Sequence, residues 1–274
     1  MQYQFLKISE QSYISQQQQK AVVLTCSLFR PEVRNALSPQ LIAELTDFFK
    51  QVAQKNLQAE NEIRAIVLKG EGKIFCAGAD LQWMQSLIDH DYSQNKKDAL
   101  ALFDLFESLL DCPAFVITVI QGAAFGGALG LLAGSDLVVS LPDAQFCFSE
   151  VKLGIAPAVI SSVFAQKNIL HGVRPYMLSG QVFHATEATR FGMVHEVSTN
   201  PDEAVKKWLE SVLASGPLAI QETKALLRRI VYMENENQIE ATTDLIAKLR
   251  VSPEGQEGLT AFLQKRKPGW VALP

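Results

Sequence analysis

The sequence predicts an α/β fold that becomes mostly helical in its last third. Short β-branched segments alternate with amphipathic ones in the first part, and helical spacing dominates from about residue 160 onward. At about 150 residues per domain, 274 residues are compatible with one or two domains. We expect a core over residues 1–200 and a helical region over residues 201–274 that covers the sheet or packs on a neighbouring chain.

The individual elements follow from local patterns. Strands are predicted where apolar, β-branched residues lie between polar turns, at 5–8, 21–28, 63–68, 115–120, 137–140 and 145–148. A helix is predicted from Pro39, where apolar residues recur at helical spacing after Ser38, a good N-cap. A loop follows the third strand, and the remaining helices are expected at 97–110, 203–213, 220–249 and 254–265.

Composition excludes several classes of protein. Hydrophobic residues make up 48% and charged residues 20%, which is typical of a globular chain and not of a disordered one. The net charge is −4 and no long basic run is present, so a nucleic-acid partner is not expected. The longest nearly apolar run, at 122–134, is shorter than the roughly 20 residues that cross a bilayer. Four separated cysteines predict free thiols in a reducing compartment, so we expect a cytoplasmic protein with no membrane partner.

Two glycine-rich segments, 75–81 and 122–130, follow the predicted strands at 63–68 and 115–120. Small residues let the backbone approach a ligand, and a helix beginning there would offer unpaired N–H groups. Two such groups converging on one carbonyl oxygen would form an oxyanion hole. Close packing of helices is an equally good interpretation of these residues. Phosphate-loop and dinucleotide motifs are excluded, because Val67 and Phe125 stand where those motifs need glycine.

Glu150 is the most interesting candidate side chain. It ends an apolar stretch, and a desolvated carboxyl has the raised pKa that suits a general acid or base. Taken alone, a surface glutamate at a strand end is the simpler interpretation. No metal site is expected, because the spacing of the histidines does not match a ligand set: His90, His171, His184 and His195.

Five segments together, in this order, strongly resemble the crotonase (enoyl-CoA hydratase/isomerase) superfamily: 30–38, 75–81, 122–130, 144–157 and 257–266. The resemblance implies a spiral of ββα units with a helical C-terminal trimerisation region, assembled as trimers or as hexamers. It also implies an acyl-CoA thioester as substrate, with coenzyme A as part of that substrate and no permanently bound cofactor.

The resemblance also assigns site residues. The backbone N–H groups of Ala79 and Gly127 would hold the thioester oxygen as it becomes an enolate, and Glu150 matches a catalytic glutamate. Phe262 and Lys265 match positions that commonly reach the CoA from a neighbouring subunit. The other positions that match the CoA path are Val33, Ala77, Asp80 and Leu81.

One position departs from the family pattern. Typical enoyl-CoA hydratases use two glutamates to position and split water, and the first of them falls on Gly130, which cannot transfer a proton. A two-carboxylate mechanism is therefore in doubt.

This variant of the pattern resembles the bacterial methylglutaconyl-CoA hydratases of leucine breakdown, at 78–84, 122–131, 146–151, 157–161 and 252–258. Those enzymes interconvert 3-methylglutaconyl-CoA and 3-hydroxy-3-methylglutaryl-CoA, for which Glu150 alone could suffice. The alternatives are an enoyl-CoA isomerase, a short-chain hydratase, a decarboxylase of the same superfamily, or a non-catalytic acyl-CoA binding homologue.

Overall fold

The computed structural model describes residues 2–15, 17–58 and 62–272 of the chain. The strands are β1 (Leu6–Ile14), β2 (Lys20–Leu28), β3 (Ile63–Gly70), β4 (Phe115–Ile120), β5 (Ala123–Phe125), β6 (Leu137–Ser140), β7 (Gln145–Cys147), β8 (Phe183–His184) and β9 (Glu196–Val197). The helices are α1 (Pro39–Gln58), α2 (Leu81–Asp89), α3 (Tyr92–Leu110), α4 (Ala128–Gly134), α5 (Ala158–Gln166), α6 (Leu170–Ser179), α7 (Ala185–Arg190), α8 (Pro201–Ala214), α9 (Pro217–Ile230), α10 (Asn235–Val251) and α11 (Pro253–Leu263). Short 3₁₀ helices lie at Pro31–Val33 and Glu150–Leu153.

The strands form two sheets. The larger has the order β1-β2-β3-β4-β6-β9, in which β1 is antiparallel to β2 and the other pairs are parallel. The smaller sheet has the order β5-β7-β8, and β5 lies parallel to β7. Since β5 follows β4 almost directly, the chain passes from the large sheet into the small one at the second glycine-rich segment.

Strand β3 shows why the large sheet needs cover on both faces. Ile66 and Leu68 belong to the main core cluster, whereas Ala65 and Val67 belong to a second cluster on the opposite face that includes residues of α8. Alternate side chains of a strand point to opposite faces, so both faces are apolar and both are covered. The α/β prediction is confirmed.

Helix α1 confirms the predicted start after Ser38. The backbone N–H of Leu41 donates to Ser38 Oγ at 3.2 Å, and the buried residues recur at helical spacing along the core face: Leu41, Ile42, Leu45, Phe48, Phe49 and Val52.

Two predictions of helix boundaries were wrong. The expected loop after β3 contains α2, and α3 begins at Tyr92, because Asp91 and Gln94 form a reciprocal capping box. The predicted helix over 220–249 is divided into α9 and α10. The Gln238 amide donates to the carbonyls of Ile230 and Met233 at 3.2 and 2.9 Å, which satisfies the end of α9 and stabilises the break.

All four cysteines are free, as predicted, and all four are buried. Within the described ranges, no helix is both long and apolar enough to cross a bilayer.

Candidate active site

The two glycine-rich segments lie side by side. Cys76 N–H donates to the carbonyl of Ala123, and Phe125 N–H donates to the carbonyl of Cys76, both at 3.1 Å. Gly78 has φ +94°, and a Cβ there would lie 3.0 Å from the Phe125 carbonyl oxygen. Only glycine combines this backbone conformation with so close an approach. The segments therefore meet backbone to backbone.

A helix begins within the last residues of each segment, as the oxyanion-hole interpretation requires. Helix α2 begins at Leu81 and α4 at Ala128, with Gly127 at its N-cap. Within the part of the chain that the structure describes, the N–H groups of Ala79 and Gly127 donate to no protein acceptor. They are therefore free to donate to a ligand oxygen, and the positive end of each helix favours negative charge there.

Asp80 holds the first segment in place. Its Oδ1 accepts hydrogen bonds from the N–H groups of Gln82 and Trp83, at 2.8 and 3.3 Å, and its Oδ2 lies 2.8 Å from Arg30 Nη2. Burial raises the pKa of Asp80, but the bonds from Arg30 and the backbone outweigh it and hold the pKa below its ordinary value. The side chain thus fixes the start of α2.

Glu150 opens the 3₁₀ helix that follows β7. Its carboxylate lies against the second segment, with Oε1 3.5 Å from where a Cβ at Gly126 would stand. Oε2 is buried and has no hydrogen-bond partner among the described residues. Burial raises the pKa of Glu150, and the hydrogen bond from its own backbone N–H opposes this only in part. The carboxyl is therefore desolvated and lies beside Gly126, the residue before Gly127, unlike a surface glutamate.

Gly130 faces the ring of Phe106. A Cβ at position 130 would overlap this ring, with Cε1 and Cε2 only 2.5 and 2.8 Å away. The wall continues beside Gly127, where a Cβ would lie 3.2 Å from Leu37 Cδ1 and 3.9 Å from Leu102 Cδ2. The surroundings of Gly127 and Gly130 are thus apolar, and the Phe106 ring leaves no room for an acid at position 130.

Comparison with known proteins agrees with this geometry. Residues 18–272 match the family model described as "Enoyl-CoA hydratase/isomerase". The chain belongs to the enoyl-CoA hydratase/isomerase family. The enoyl-CoA hydratase AFT6-1 of Alternaria alternata is 32% identical over 253 residues, which cover 91% of this chain and 81% of that protein.

Solved structures give the same result. An enoyl-CoA hydratase from Shewanella pealeana has a TM-score of 0.89 at 34% identity, covering 98% of this chain and 97% of that one. AtuE from Pseudomonas aeruginosa has a TM-score of 0.89 at 30% identity, covering 98% of this chain and all (100%) of that one. The crotonase fold is thereby confirmed, and the chain is an enzyme of a family that acts on CoA thioesters without a permanently bound cofactor.

Within this enoyl-CoA hydratase/isomerase fold, the predicted CoA positions fall into two groups. The stretch 30–37 runs beside the first glycine-rich segment, since Ala77 N–H donates to the Arg34 carbonyl at 3.0 Å and Leu37 N–H to that of Gly78 at 2.7 Å. This brings Val33, Ala77, Asp80 and Leu81 to one side of the site. By contrast, Phe262 is 81% exposed at the end of α11, and Lys265 follows it on the surface.

Sequence reasoning missed Phe106 as a site residue, because its contact with Gly130 joins two helices that are brought together only by the tertiary structure. The histidines stay outside the site: His195 Nδ1 accepts from the N–H of Val138 at 3.0 Å, and burial lowers the pKa of His195. No group of three His, Cys, Asp or Glu side chains suited to a metal ion occurs within the described ranges.

Proposed function

We propose that this enzyme adds water to an α,β-unsaturated acyl-CoA through a single protein carboxyl, Glu150. The observation that carries the proposal is the buried, unpartnered Oε2 of Glu150 beside Gly126, together with the Phe106 ring against Gly130. A desolvated carboxylate with a free oxygen is a strong candidate base, and no second acid can stand at position 130 beside that ring.

The chemistry can be completed by one carboxyl. Glu150 takes a proton from water as the hydroxyl oxygen bonds to the β-carbon, and the displaced electron pair moves onto the thioester oxygen. The N–H groups of Ala79 and Gly127 stabilise that enolate oxygen. Protonated Glu150 then returns the proton to the α-carbon as the carbonyl re-forms, so the net change is the addition of one water.

We propose 3-methylglutaconyl-CoA, an intermediate of leucine breakdown, as the substrate. Support comes from segments 78–84 and 122–131, which resemble the methylglutaconyl-CoA hydratases, and from the lack of room for an acid at position 130. For the CoA part, Val33, Ala77 and Leu81 are proposed to line its path, while the side chain of Asp80 supports that path through Arg30.

Phe262 and Lys265 are proposed to reach the CoA of a neighbouring subunit in a trimer or a dimer of trimers. Their position supports this, because one chain leaves Phe262 almost fully exposed. The four free, buried cysteines are compatible with a reducing compartment, so we retain the cytoplasm as the proposed location.

The decisive experiment is Glu150→Gln assayed for hydration of 3-methylglutaconyl-CoA. General base catalysis typically contributes about 10²–10⁴-fold, so we expect a loss in this range. Glu210→Gln, on the exposed face of α8, is the matched control and should keep its rate. Retention of more than roughly a tenth of the wild-type rate in Glu150→Gln would contradict the role of Glu150.

A substrate panel read by mass spectrometry separates the reaction types. Hydration raises the mass of the thioester by about 18 Da, isomerisation leaves the mass unchanged, and decarboxylation lowers it by about 44 Da. We expect the gain of one water with 3-methylglutaconyl-CoA and a lower kcat/KM with crotonyl-CoA. Equal or better use of crotonyl-CoA would overturn the proposed substrate.

A further inference from the structure

The three tryptophans differ in how their indole N–H groups are satisfied. Trp208 Nε1 donates to Glu196 Oε2 at 2.7 Å, and Trp270 Nε1 donates to the Ala214 carbonyl at 3.1 Å. Trp83 Nε1 is buried, and no acceptor lies within reach among the described residues. A buried indole N–H normally has a partner, so this exception requires an explanation.

Trp83 lies in the first turn of the helix that follows Ala79. It is the third residue of α2, and its own backbone N–H is bonded to Asp80, next to Ala79. Side chains of a helix lean toward its N-terminus, so the indole leans back toward the first glycine-rich segment. Trp83 also packs on the core cluster that includes Leu37, one of the two side chains that flank Gly127.

The other buried donors without a partner are accounted for by their surroundings. Arg30 Nε belongs to a guanidinium whose remaining nitrogens bind Asp80 and the Ala36 carbonyl, and this group lies over the Phe5 ring at 4.6 Å. His90 Nδ1 faces Asp98 Oδ2 at 3.2 Å. The indole N–H of Trp83 differs from both, because no polar group among the described residues bonds to any other atom of its side chain.

We infer that the Trp83 indole N–H donates to the carboxylate at the far end of the acyl group, so that Trp83 determines specificity for dicarboxylic thioesters. This inference rests on the proposed function, which supplies a substrate with such a carboxylate. A neutral donor suits the binding of this carboxylate better than a cation does. A cation near Glu150 would favour the ionised form of Glu150 and weaken it as a base, whereas a neutral indole leaves Glu150 basic.

The first test compares Trp83→Phe with Trp208→Phe, which removes an indole N–H that is already satisfied by Glu196. The measured quantity is the ratio of kcat/KM for 3-methylglutaconyl-CoA to that for crotonyl-CoA. We expect Trp83→Phe to lower this ratio about 10- to 100-fold, the range for a hydrogen bond to a charged group. Trp208→Phe should leave the ratio unchanged. An unchanged ratio in Trp83→Phe, or an equal loss with both substrates, would overturn the inference.

A second test does not depend on turnover. Calorimetry would compare glutaryl-CoA with 5-methylhexanoyl-CoA, in which an isopropyl group of similar shape replaces the terminal carboxylate. Wild type should prefer glutaryl-CoA, and Trp83→Phe should lose most of that preference. If wild type does not hydrate 3-methylglutaconyl-CoA but shows this pattern, the proposed reaction fails and the role of Trp83 stands. If wild type binds both thioesters equally, the role of Trp83 fails.

Discussion

The helix at the active site and the helices at the C-terminus are stabilised in opposite ways. All seven residues of α4 are buried, whereas α9 and α10 contain no buried residue. We refer to α9–α11 as the tail. Helix α4 is held by apolar packing on every side, which fixes Gly127 and Gly130 precisely. The tail is held on the core mainly at its first helix and leaves apolar side chains exposed.

Polar contacts and the apolar side chain of Ile220 join the tail to the core. Lys224 Nζ lies 2.5 Å from Asp136 Oδ2 and donates to the Ala114 carbonyl at 2.6 Å, and Arg228 pairs with Glu107. The exposed apolar side chains of the tail include Leu227, Val231, Tyr232, Ile239, Ile246, Leu259, Phe262 and Leu263. Such a surface is typical of a region that packs against another chain. The site thus rests on a core that one chain completes by itself, whereas the apolar side chains of the tail would be covered only in the proposed assembly.

The largest expected effect is a change of oligomeric state, which tests the proposed assembly through the tail. Leu227→Glu/Val231→Glu places two charges at the exposed C-terminal end of α9 and its C-cap, where burial against a neighbour would leave them unpaired. We expect wild type to run as a trimer or hexamer and this variant as a 30.2 kDa monomer in size-exclusion chromatography with light scattering. Leu57→Glu, on an exposed leucine of α1 outside the tail, is the control. A monomeric wild type would contradict the proposed assembly.

The next effect concerns the polar contacts of the tail. Lys224→Met leaves Asp136 buried without its ion-pair partner, because both side chains are only 15% exposed. We expect a loss of about 3 kcal/mol in the free energy of unfolding, measured with urea. Lys248→Met removes an exposed i,i+4 pair with Asp244 and should cost no more than about 0.5 kcal/mol. Equal losses in the two variants would show that the tail is not held by this pair.

A smaller effect is expected from one methyl group inside the core. Gly130→Ala would place a Cβ against the Phe106 ring, and overpacking of a core typically costs about 1–3 kcal/mol. Thermal unfolding of Gly130→Ala, Phe106→Leu and the double variant forms a mutant cycle. The double variant should be more stable than the sum of the single losses predicts, since the smaller leucine side chain relieves the overlap. Strict additivity would contradict the tight packing of α4 on α3.

The smallest effect is the pH dependence of stability in Glu150→Gln. Burial raises the pKa of Glu150 in the folded state. The protonated carboxyl therefore makes its full contribution to stability below the pKa of the unfolded chain, and this contribution is lost as the pH rises through the pKa of the folded protein. Glutamine does not ionise. We therefore expect the variant to melt above wild type near pH 7–8 and this difference to shrink toward about pH 4. A difference that grows on acidification would mean that Glu150 is stabilised as the anion.

Much of the fold was predictable because its signals are local. The β-branched run of β3, the helical spacing after Ser38 and the glycine-rich turns depend on neighbours in sequence. The sequence patterns did not predict α2, although its caps are formed by neighbouring residues. They also did not predict the break between α9 and α10, which depends on the Gln238 side chain donating to the carbonyls of Ile230 and Met233. The role of Ala79 and Gly127 as oxyanion-hole donors remains a prediction, which their free N–H groups support.

The sequence by itself determined the α/β class, the paired glycine-rich segments and the absence of an acid at position 130. These are properties of residue type and order. Only the tertiary structure decided that Glu150 is desolvated beside Gly126, that Phe106 fills the space at Gly130, and that the indole of Trp83 has no partner among the described residues. The physical reason is that burial and hydrogen-bond satisfaction depend on segments far apart in the chain, which meet only when the sheets and helices pack.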